Sequence, residues 1–227
     1  MSGANRARGS SKWLWPSLIG GIVVIGVVAI ALGGGGKDNT GGSNNGGATE
    51  KIEIAKVVEV SGTPLPDFDT TLNDSAIGKK APTLDGADFD GKAVTAGGAS
   101  GKPQIVTFIA HWCPHCQREV PIIVDLKNKG VLDGVELTGV VTGTSADAPN
   151  YPPSAWLATE EWDSPVLVDT ADATAGLAYG LTGYPLLVFV NPDGTVAGRW
   201  SGEMPESNLQ AVIEAFKAGK SIPFPSN

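Results

Sequence analysis

The chain has 227 residues, with 16 basic and 24 acidic side chains, 31 glycines, 16 prolines and only two cysteines. This length suits one domain of ordinary size with short attachments. Two cysteines form at most one intramolecular disulfide, which excludes a small disulfide-stapled scaffold, so any core must form by burial of apolar side chains.

The charges are divided unevenly along the chain. The first 36 residues carry Arg6, Arg8 and Lys12 and no acidic residue, which leaves 13 basic against 24 acidic side chains, a net charge of −11, on residues 37–227. Affinity for a phosphate backbone comes mainly from clustered lysine and arginine. The folded part is therefore predicted to bind neither nucleic acid nor anionic lipid.

A long apolar run follows the early cations. Residues 14–32 read LWPSLIGGIVVIGVVAIAL, and no charged residue lies between Trp13 and Gly36. About 20 apolar residues cross a bilayer core, and cations before the run favour a cytoplasmic N-terminus. The pattern predicts a cytoplasmic segment 1–12, a single transmembrane anchor at 13–32 in the cell membrane, and an extracytoplasmic remainder.

Two other interpretations of this run stay open. Ala29-Ile30-Ala31 offers the small-x-small pattern of a signal-peptide cleavage site, although the apolar run is longer than a typical signal peptide requires. A buried core helix is the third interpretation, and the apolar character of all faces argues against it. Residues 33–50 are rich in Gly, Asn and Ser and predict a flexible linker, with one folded domain at 51–227.

The folded part alternates strand and helix patterns. Residues 81–101, punctuated by Gly and Asp, predict turns and short strands, and the β-branched run QIVTFIA at 104–110 predicts a strand buried on both faces. The order of elements predicts an α/β layered domain with a mixed sheet. The other predicted elements are strands at 51–60, 135–142 and 166–168, helices at 114–129, 154–161, 172–179 and 205–218, and a hairpin of 186–190 with 195–200.

All cysteines and histidines of the chain lie in one short segment, Ala110-His111-Trp112-Cys113-Pro114-His115-Cys116. A Cys-x-x-Cys pair that follows a strand and opens a helix is typical of redox-active dithiols. The first cysteine then lies at the helix N-terminus, where free amide donors favour a thiolate, and the second lies one turn further on. We predict Cys113 as the nucleophile and Cys116 as the resolving thiol. Pro114 suits the first helical position, and His115 can stabilise the thiolate.

From about Ala81 to the C-terminus the chain resembles the thioredoxin superfamily, and most closely its membrane-anchored extracytoplasmic members of the TlpA/ResA type. The resemblance rests on the Trp112–Cys116 motif, on Pro121 five positions later, on the turn at 191–194, and on Tyr179-Gly180-Leu181-Thr182-Gly183-Tyr184-Pro185. It implies a thioredoxin-like fold in which Pro185 is a cis-proline opposite the cysteines. It also implies that Trp112 partly covers the site and that the backbone of Tyr184 pairs with an extended substrate.

The resemblance implies a thiol-disulfide oxidoreductase that needs no cofactor and acts on cysteine-containing secreted or envelope proteins. A membrane or soluble redox partner would recycle its disulfide, and the lipid bilayer would hold residues 13–32. The Pro114-His115 dipeptide is that of oxidising DsbA-type enzymes and favours the oxidase direction, whereas the overall layout resembles reducing members that serve cytochrome c maturation. Thr107 stands where many relatives carry a buried acid that moves protons to the resolving cysteine.

The cysteine motif is also compatible with two other kinds of chemistry. A metal site, or a non-catalytic metal-handling module of the same fold, could use Cys113, Cys116, His111 and His115, but a closed site normally draws ligands from two separated segments and no third segment offers one. The sequence therefore predicts no bound metal. A purely structural disulfide between cysteines three residues apart would stabilise the chain less than one closing a long loop.

Overall fold

The computed structural model describes residues 50–69 and 74–225. The predicted cytoplasmic segment, the predicted anchor and the predicted linker up to residue 49 lie outside the described residues. Among the residues that are described, none of the helices combines the length and the apolar character needed to span a membrane.

A five-stranded sheet forms the centre of the domain. Its strands follow the order β6-β5-β4-β7-β8, in which β4, β5 and β6 run parallel and β7 and β8 are antiparallel to their neighbours. The predicted mixed sheet is thereby confirmed. The strands are β4 (Gln104–Ile109), β5 (Glu136–Val141), β6 (Val166–Val168), β7 (Leu186–Val190) and β8 (Val196–Ser201).

Four helices connect and cover these strands, and each agrees with a predicted helix to within two residues at either end. The final helix is amphipathic and buries Leu209, Val212, Ile213 and Phe216, as its sequence pattern predicts. The helices are α1 (Pro114–Asn128), α2 (Pro153–Thr159), α3 (Thr174–Ala178) and α4 (Glu206–Lys217).

A smaller antiparallel sheet precedes the central one and consists of β1 (Glu59–Ser61), β2 (Thr83–Ala87) and β3 (Ala93–Gly97). The strand predicted at 51–60 is wrong except for its last two residues. Most of this segment has no neighbouring strand with which to form a ladder, and only Ala55 forms an isolated parallel bridge, with Thr170. Its alternating apolar side chains are not all buried either, since Val57 is exposed.

The core lies on both faces of the central sheet, because every residue of β4 is buried and successive side chains point to opposite sides. Ile105 packs with α1 and α4 on one face. Val106 and Phe108 pack with α3 and the small sheet on the other face. The run of β-branched and apolar residues at 104–110 is therefore explained by a central strand, and this strand delivers the cysteine motif from its carboxyl end.

A buried ion pair fastens the segment before β2 to the central sheet. Arg199 of β8 is fully buried and donates through Nε and Nη2 to the two carboxylate oxygens of Asp74, at 2.8 and 2.5 Å. Its Nη1 donates to the carbonyls of Pro66 and Tyr179. The guanidinium thus satisfies one carboxylate and two backbone carbonyls in the interior, which a buried charge requires.

Candidate active site

The cysteine motif occupies the turn between β4 and α1. Cys113 is the N-cap of α1 with an extended backbone (φ −76°, ψ 120°), and Pro114 follows in the first turn. Proline suits this position because its fixed φ is helical and the first helical residues have no intrahelical acceptor for an amide proton. The sulfur of Cys113 therefore lies at the helix end whose free amides favour negative charge.

The two thiols are free and differ in their surroundings. Cys113 keeps 6% of its surface exposed, whereas Cys116 is fully buried, and the Cys116 sulfur accepts a hydrogen bond from the Ala110 amide at 3.4 Å. Burial raises the pKa of Cys116 well above its ordinary value. A reagent in solution therefore reaches Cys113 before Cys116, and Cys116 strongly prefers its protonated form.

The loop before β7 lies opposite the cysteines. The Tyr184–Pro185 peptide bond is cis, as the resemblance implies, and the Cys113 thiol lies 3.9 Å from the carbonyl oxygen of Tyr184. Trp112 is half-buried, and its ring meets the edge of the Tyr184 ring at 5.6 Å between centroids. Trp112 also donates from its indole nitrogen to the Gly143 carbonyl at 2.7 Å. Two aromatic rings and one free backbone carbonyl thus border the sulfur of Cys113.

His115 projects away from the sheet. Its side chain is 55% exposed, and its Nδ1 lies 3.3 Å from the Glu203 carboxylate and 3.0 Å from Arg118. Arg118 in turn donates to Glu203 at 2.5 Å, and this hydrogen bond lowers the pKa of Glu203. Within the described residues, His115 forms no hydrogen bond with either thiol, so its role in stabilising a thiolate stays a prediction.

Glu119 is a site residue that the sequence analysis missed. It lies in α1 three residues after Cys116, is fully buried, and its burial raises its pKa to about 7. Its charge is also among the causes that raise the pKa of Cys116. A charged residue on the buried face of α1, three positions after a buried cysteine, was the available signal.

Thr107, in β4, is a second buried polar side chain. Its hydroxyl has no hydrogen-bond partner among the described residues. Glu119 is thus a buried carboxyl of α1, one helical turn after Cys116.

His111 is one of the four residues considered as metal ligands. Both ring nitrogens of His111 are engaged by backbone groups, Nδ1 with the Pro149 carbonyl and Nε2 with the Ser145 amide. In residues 50–69 and 74–225, no three or more His, Cys, Asp or Glu side chains are grouped so as to hold a metal ion.

Comparison with known proteins identifies relatives of the same chemistry. A model of the Redoxin family matches residues 61–213. The thiol-disulfide oxidoreductase ResA of Bacillus subtilis (strain 168) is 27% identical over 144 residues, which cover 63% of this chain and 78% of that protein. The thiol:disulfide interchange protein DsbE of Pseudomonas fluorescens biotype C is 30% identical over 152 residues, covering 62% of this chain and 80% of that protein.

Solved structures show the same fold. A putative thiol:disulfide interchange protein DsbE from Chlorobium tepidum superposes with a TM-score of 0.52 at 21% identity, covering 63% of this chain and 96% of that one. The thioredoxin domain of a thiol-disulfide oxidoreductase from Bacteroides vulgatus gives 0.51 at 23% identity, covering 62% and 97%. These likenesses establish a thioredoxin-like fold. Since the family model spans the Cys113–Cys116 motif, the chain belongs to the Redoxin family of the thioredoxin superfamily and is a ResA-like thiol-disulfide oxidoreductase.

Proposed function

We propose that the chain is a single-pass membrane protein whose extracytoplasmic domain oxidises cysteine pairs of secreted or envelope proteins. The observation that carries the proposal is the asymmetry of the two thiols. Cys113 is the reachable sulfur at the N-terminus of α1, and Cys116 is a buried thiol one turn behind it. A two-step disulfide exchange requires one accessible sulfur that is attacked and one buried sulfur that resolves the mixed disulfide.

The substrate binds along the Tyr184 backbone. The carbonyl of Tyr184 points toward Cys113, and an extended chain can pair with it as an added strand. The edge-to-face rings of Trp112 and Tyr184 contact the apolar side chains that flank the substrate cysteine. The groove thereby brings a substrate thiolate to the sulfur of Cys113.

The chemistry proceeds in two exchanges. A substrate thiolate attacks the Cys113 sulfur of the oxidised protein, a mixed disulfide forms, the Cys113–Cys116 bond breaks and Cys116 leaves as a thiolate. A second substrate thiolate then attacks the substrate sulfur of the mixed disulfide, and Cys113 leaves as a thiolate. The substrate loses two electrons and two protons as its disulfide forms, and the protein becomes a dithiol.

Glu119 and Cys116, at the buried end of the site, exchange a proton during these two steps. Because burial raises the pKa of Cys116, its departure as a thiolate is costly unless a proton arrives. Glu119 has a pKa raised to about 7, so at neutral pH part of the population carries a proton one turn from that sulfur. Glu119 thus donates to Cys116 during oxidation of a substrate and accepts from it during recycling.

Two features support the oxidising direction. The Pro114-His115 dipeptide is that of oxidising relatives, and the N-terminal position of Cys113 favours its thiolate. Stabilising the thiolate stabilises the reduced protein, which makes the disulfide more oxidising. The cations Arg6, Arg8 and Lys12, which precede the uncharged run at 13–32, support the placement of the domain on the extracytoplasmic side.

The direction is tested by equilibrating the protein with glutathione buffers and measuring the fraction of dithiol. We expect a reduction potential nearer to about −120 mV, as in DsbA, than to about −270 mV, as in thioredoxin. A potential near the thioredoxin value contradicts the oxidase assignment.

The matched variants Cys113→Ser and Cys116→Ser test the roles of the two sulfurs. The first should form no mixed disulfide with a substrate that carries a disulfide. In the second, the Cys113 thiolate attacks that disulfide and displaces one substrate thiolate, and the mixed disulfide should accumulate because no second thiol resolves it.

The anchor is tested by expressing the full chain and a chain that begins at residue 33. We expect the full chain in the membrane fraction after a carbonate wash and the shorter chain in the soluble fraction. A membrane-impermeant thiol reagent applied to intact cells should label the reduced full chain. Recovery of the full chain without residues 1–31 would instead establish a cleaved signal peptide.

A further inference from the structure

His111, next to the cysteine motif, is fully buried and uses both ring nitrogens on a single loop. Its Nδ1 lies 2.7 Å from the carbonyl oxygen of Pro149, and its Nε2 lies 3.2 Å from the backbone nitrogen of Ser145. A carbonyl needs a donor and an amide needs an acceptor, so these partners require a neutral ring with its proton on Nδ1. The ring of His111 therefore connects the cysteine motif to the segment of residues 145–149, and both of its nitrogens are used in doing so.

The backbone of His111 reinforces this connection. Its carbonyl oxygen accepts hydrogen bonds from Asn150 Nδ2 at 3.2 Å and from Gln117 Nε2 at 3.1 Å. Asn150 has a left-handed backbone (φ 60°), which asparagine tolerates better than most residues. The loop of residues 143–151, named here the β5–α2 loop, is therefore tied to residue 111 at three points along its length.

The first residue of the β5–α2 loop borders the substrate groove. The Gly143 carbonyl accepts the hydrogen bond of the Trp112 indole. A Cβ atom at Gly143 would lie 2.7 Å from the Tyr184 hydroxyl and 3.8 Å from the Trp112 ring. The loop thus begins in contact with both aromatic rings that flank Cys113. From there it passes His111 and ends at Tyr151, a residue that is 44% exposed.

We infer that His111 is a positioning residue that holds the β5–α2 loop as a wall of the substrate groove, and that this wall selects extended polypeptides over small thiols. The inference rests on the proposed function. A polypeptide long enough to lie along Tyr184 also contacts the loop, whereas a small dithiol contacts only the sulfur. Prior ordering of the loop by His111 lowers the entropy lost when the polypeptide binds.

Two variants separate the two ring hydrogen bonds. His111→Asn keeps a donor near the position of Nδ1 and loses the acceptor for Ser145, and His111→Gln keeps an acceptor near the position of Nε2. Asn150→Gly retains the left-handed backbone and removes the side-chain bond to His111. The matched control is Tyr179→Phe, which removes a buried hydrogen bond to Pro82 that involves no residue of the loop.

The experiment measures single-turnover reduction of the oxidised full-length protein by dithiothreitol and by reduced insulin B chain. We expect the ratio of the B-chain rate to the dithiothreitol rate to fall about fivefold in His111→Asn, the factor expected for one lost hydrogen bond. The ratio should also fall in His111→Gln and Asn150→Gly, and it should stay at the parental value in Tyr179→Phe. Amide exchange at Ser145 should accelerate in His111→Asn.

Equal loss of both rates in the His111 and Asn150 variants, or an unchanged ratio, contradicts the inference and leaves the proposed function standing. If the His111 variants do not fold, a parental ratio in Asn150→Gly overturns the inference and a lowered ratio supports it. Reaction of the parent with neither reagent contradicts the proposed function and the inference together.

Discussion

Glu119 accepts a hydrogen bond from the backbone amide of Met204 through Oε2 at 2.8 Å, whereas its Oε1 is buried without a partner among the described residues. The carboxyl is therefore only half satisfied in an interior that disfavours charge, and burial raises its pKa to about 7. It lies one helical turn beyond Cys116, whose pKa is raised as well. Near neutral pH the interior of the site thus holds a titrating acid beside a protonated thiol.

The raised pKa of Glu119 predicts how the free energy of unfolding depends on pH. Its ordinary value is 4.5 and its value in the folded protein is about 7, so the folded state binds this proton more tightly than the unfolded chain. The stabilisation is fully present below about pH 4.5 and is lost as the pH rises to about 7, for a total of about 3 kcal/mol. Glu119→Gln should lack this part of the pH dependence.

Urea unfolding of the reduced parent and of Glu119→Gln, at about pH 5 and about pH 8, measures that difference. The variant should gain stability relative to the parent as the pH rises. Its resolving step, followed as release of the mixed disulfide, should be slower, and its rate should vary less across neutral pH. Parallel stability curves for the two proteins would contradict a raised pKa at Glu119.

The Arg199–Asp74 pair makes the second prediction. Arg199→Met leaves the Asp74 carboxylate buried without its partner, and we expect a loss of about 3–5 kcal/mol in the free energy of unfolding. Asp74→Asn combined with Arg199→Met removes both charges, so the double variant should be more stable than the sum of the two single losses indicates. Urea unfolding of the four proteins measures the coupling. Additive losses would show that the two side chains do not depend on each other.

The sequence predicted the central sheet well, because strands buried on both faces have a pattern that depends on few outside contacts. The run at 104–110 is β-branched and apolar throughout, and the structure makes it the central strand β4. The segment 51–60 failed because alternation does not reveal whether a partner strand is available. Its neighbours are residues such as Phe89 and Asp169, which are distant in the sequence.

The sequence predicted those site residues that belong to a local sequence motif. The cysteines, the proline at the start of α1 and the cis-proline follow from local residue order and from the resemblance. Glu119 could not be predicted in this way, because its raised pKa comes from burial beside Met204, which is 85 residues away. The role of His111 also depends on a distant loop, since both of its ring partners lie more than 30 residues further along the chain.

Gly143 makes the last prediction. Its φ of 63° is left-handed, which costs a residue with a Cβ about 1–2 kcal/mol, and a Cβ there would lie 2.7 Å from the Tyr184 hydroxyl. Gly143→Ala should therefore destabilise the protein and displace the Tyr184 ring. Tyr184→Phe removes the hydroxyl, so Gly143→Ala should be less harmful in that background, with only the backbone cost remaining. Urea unfolding of the four proteins tests this coupling, and an equal cost of Gly143→Ala in both backgrounds would mean that Tyr184 does not lie against the loop.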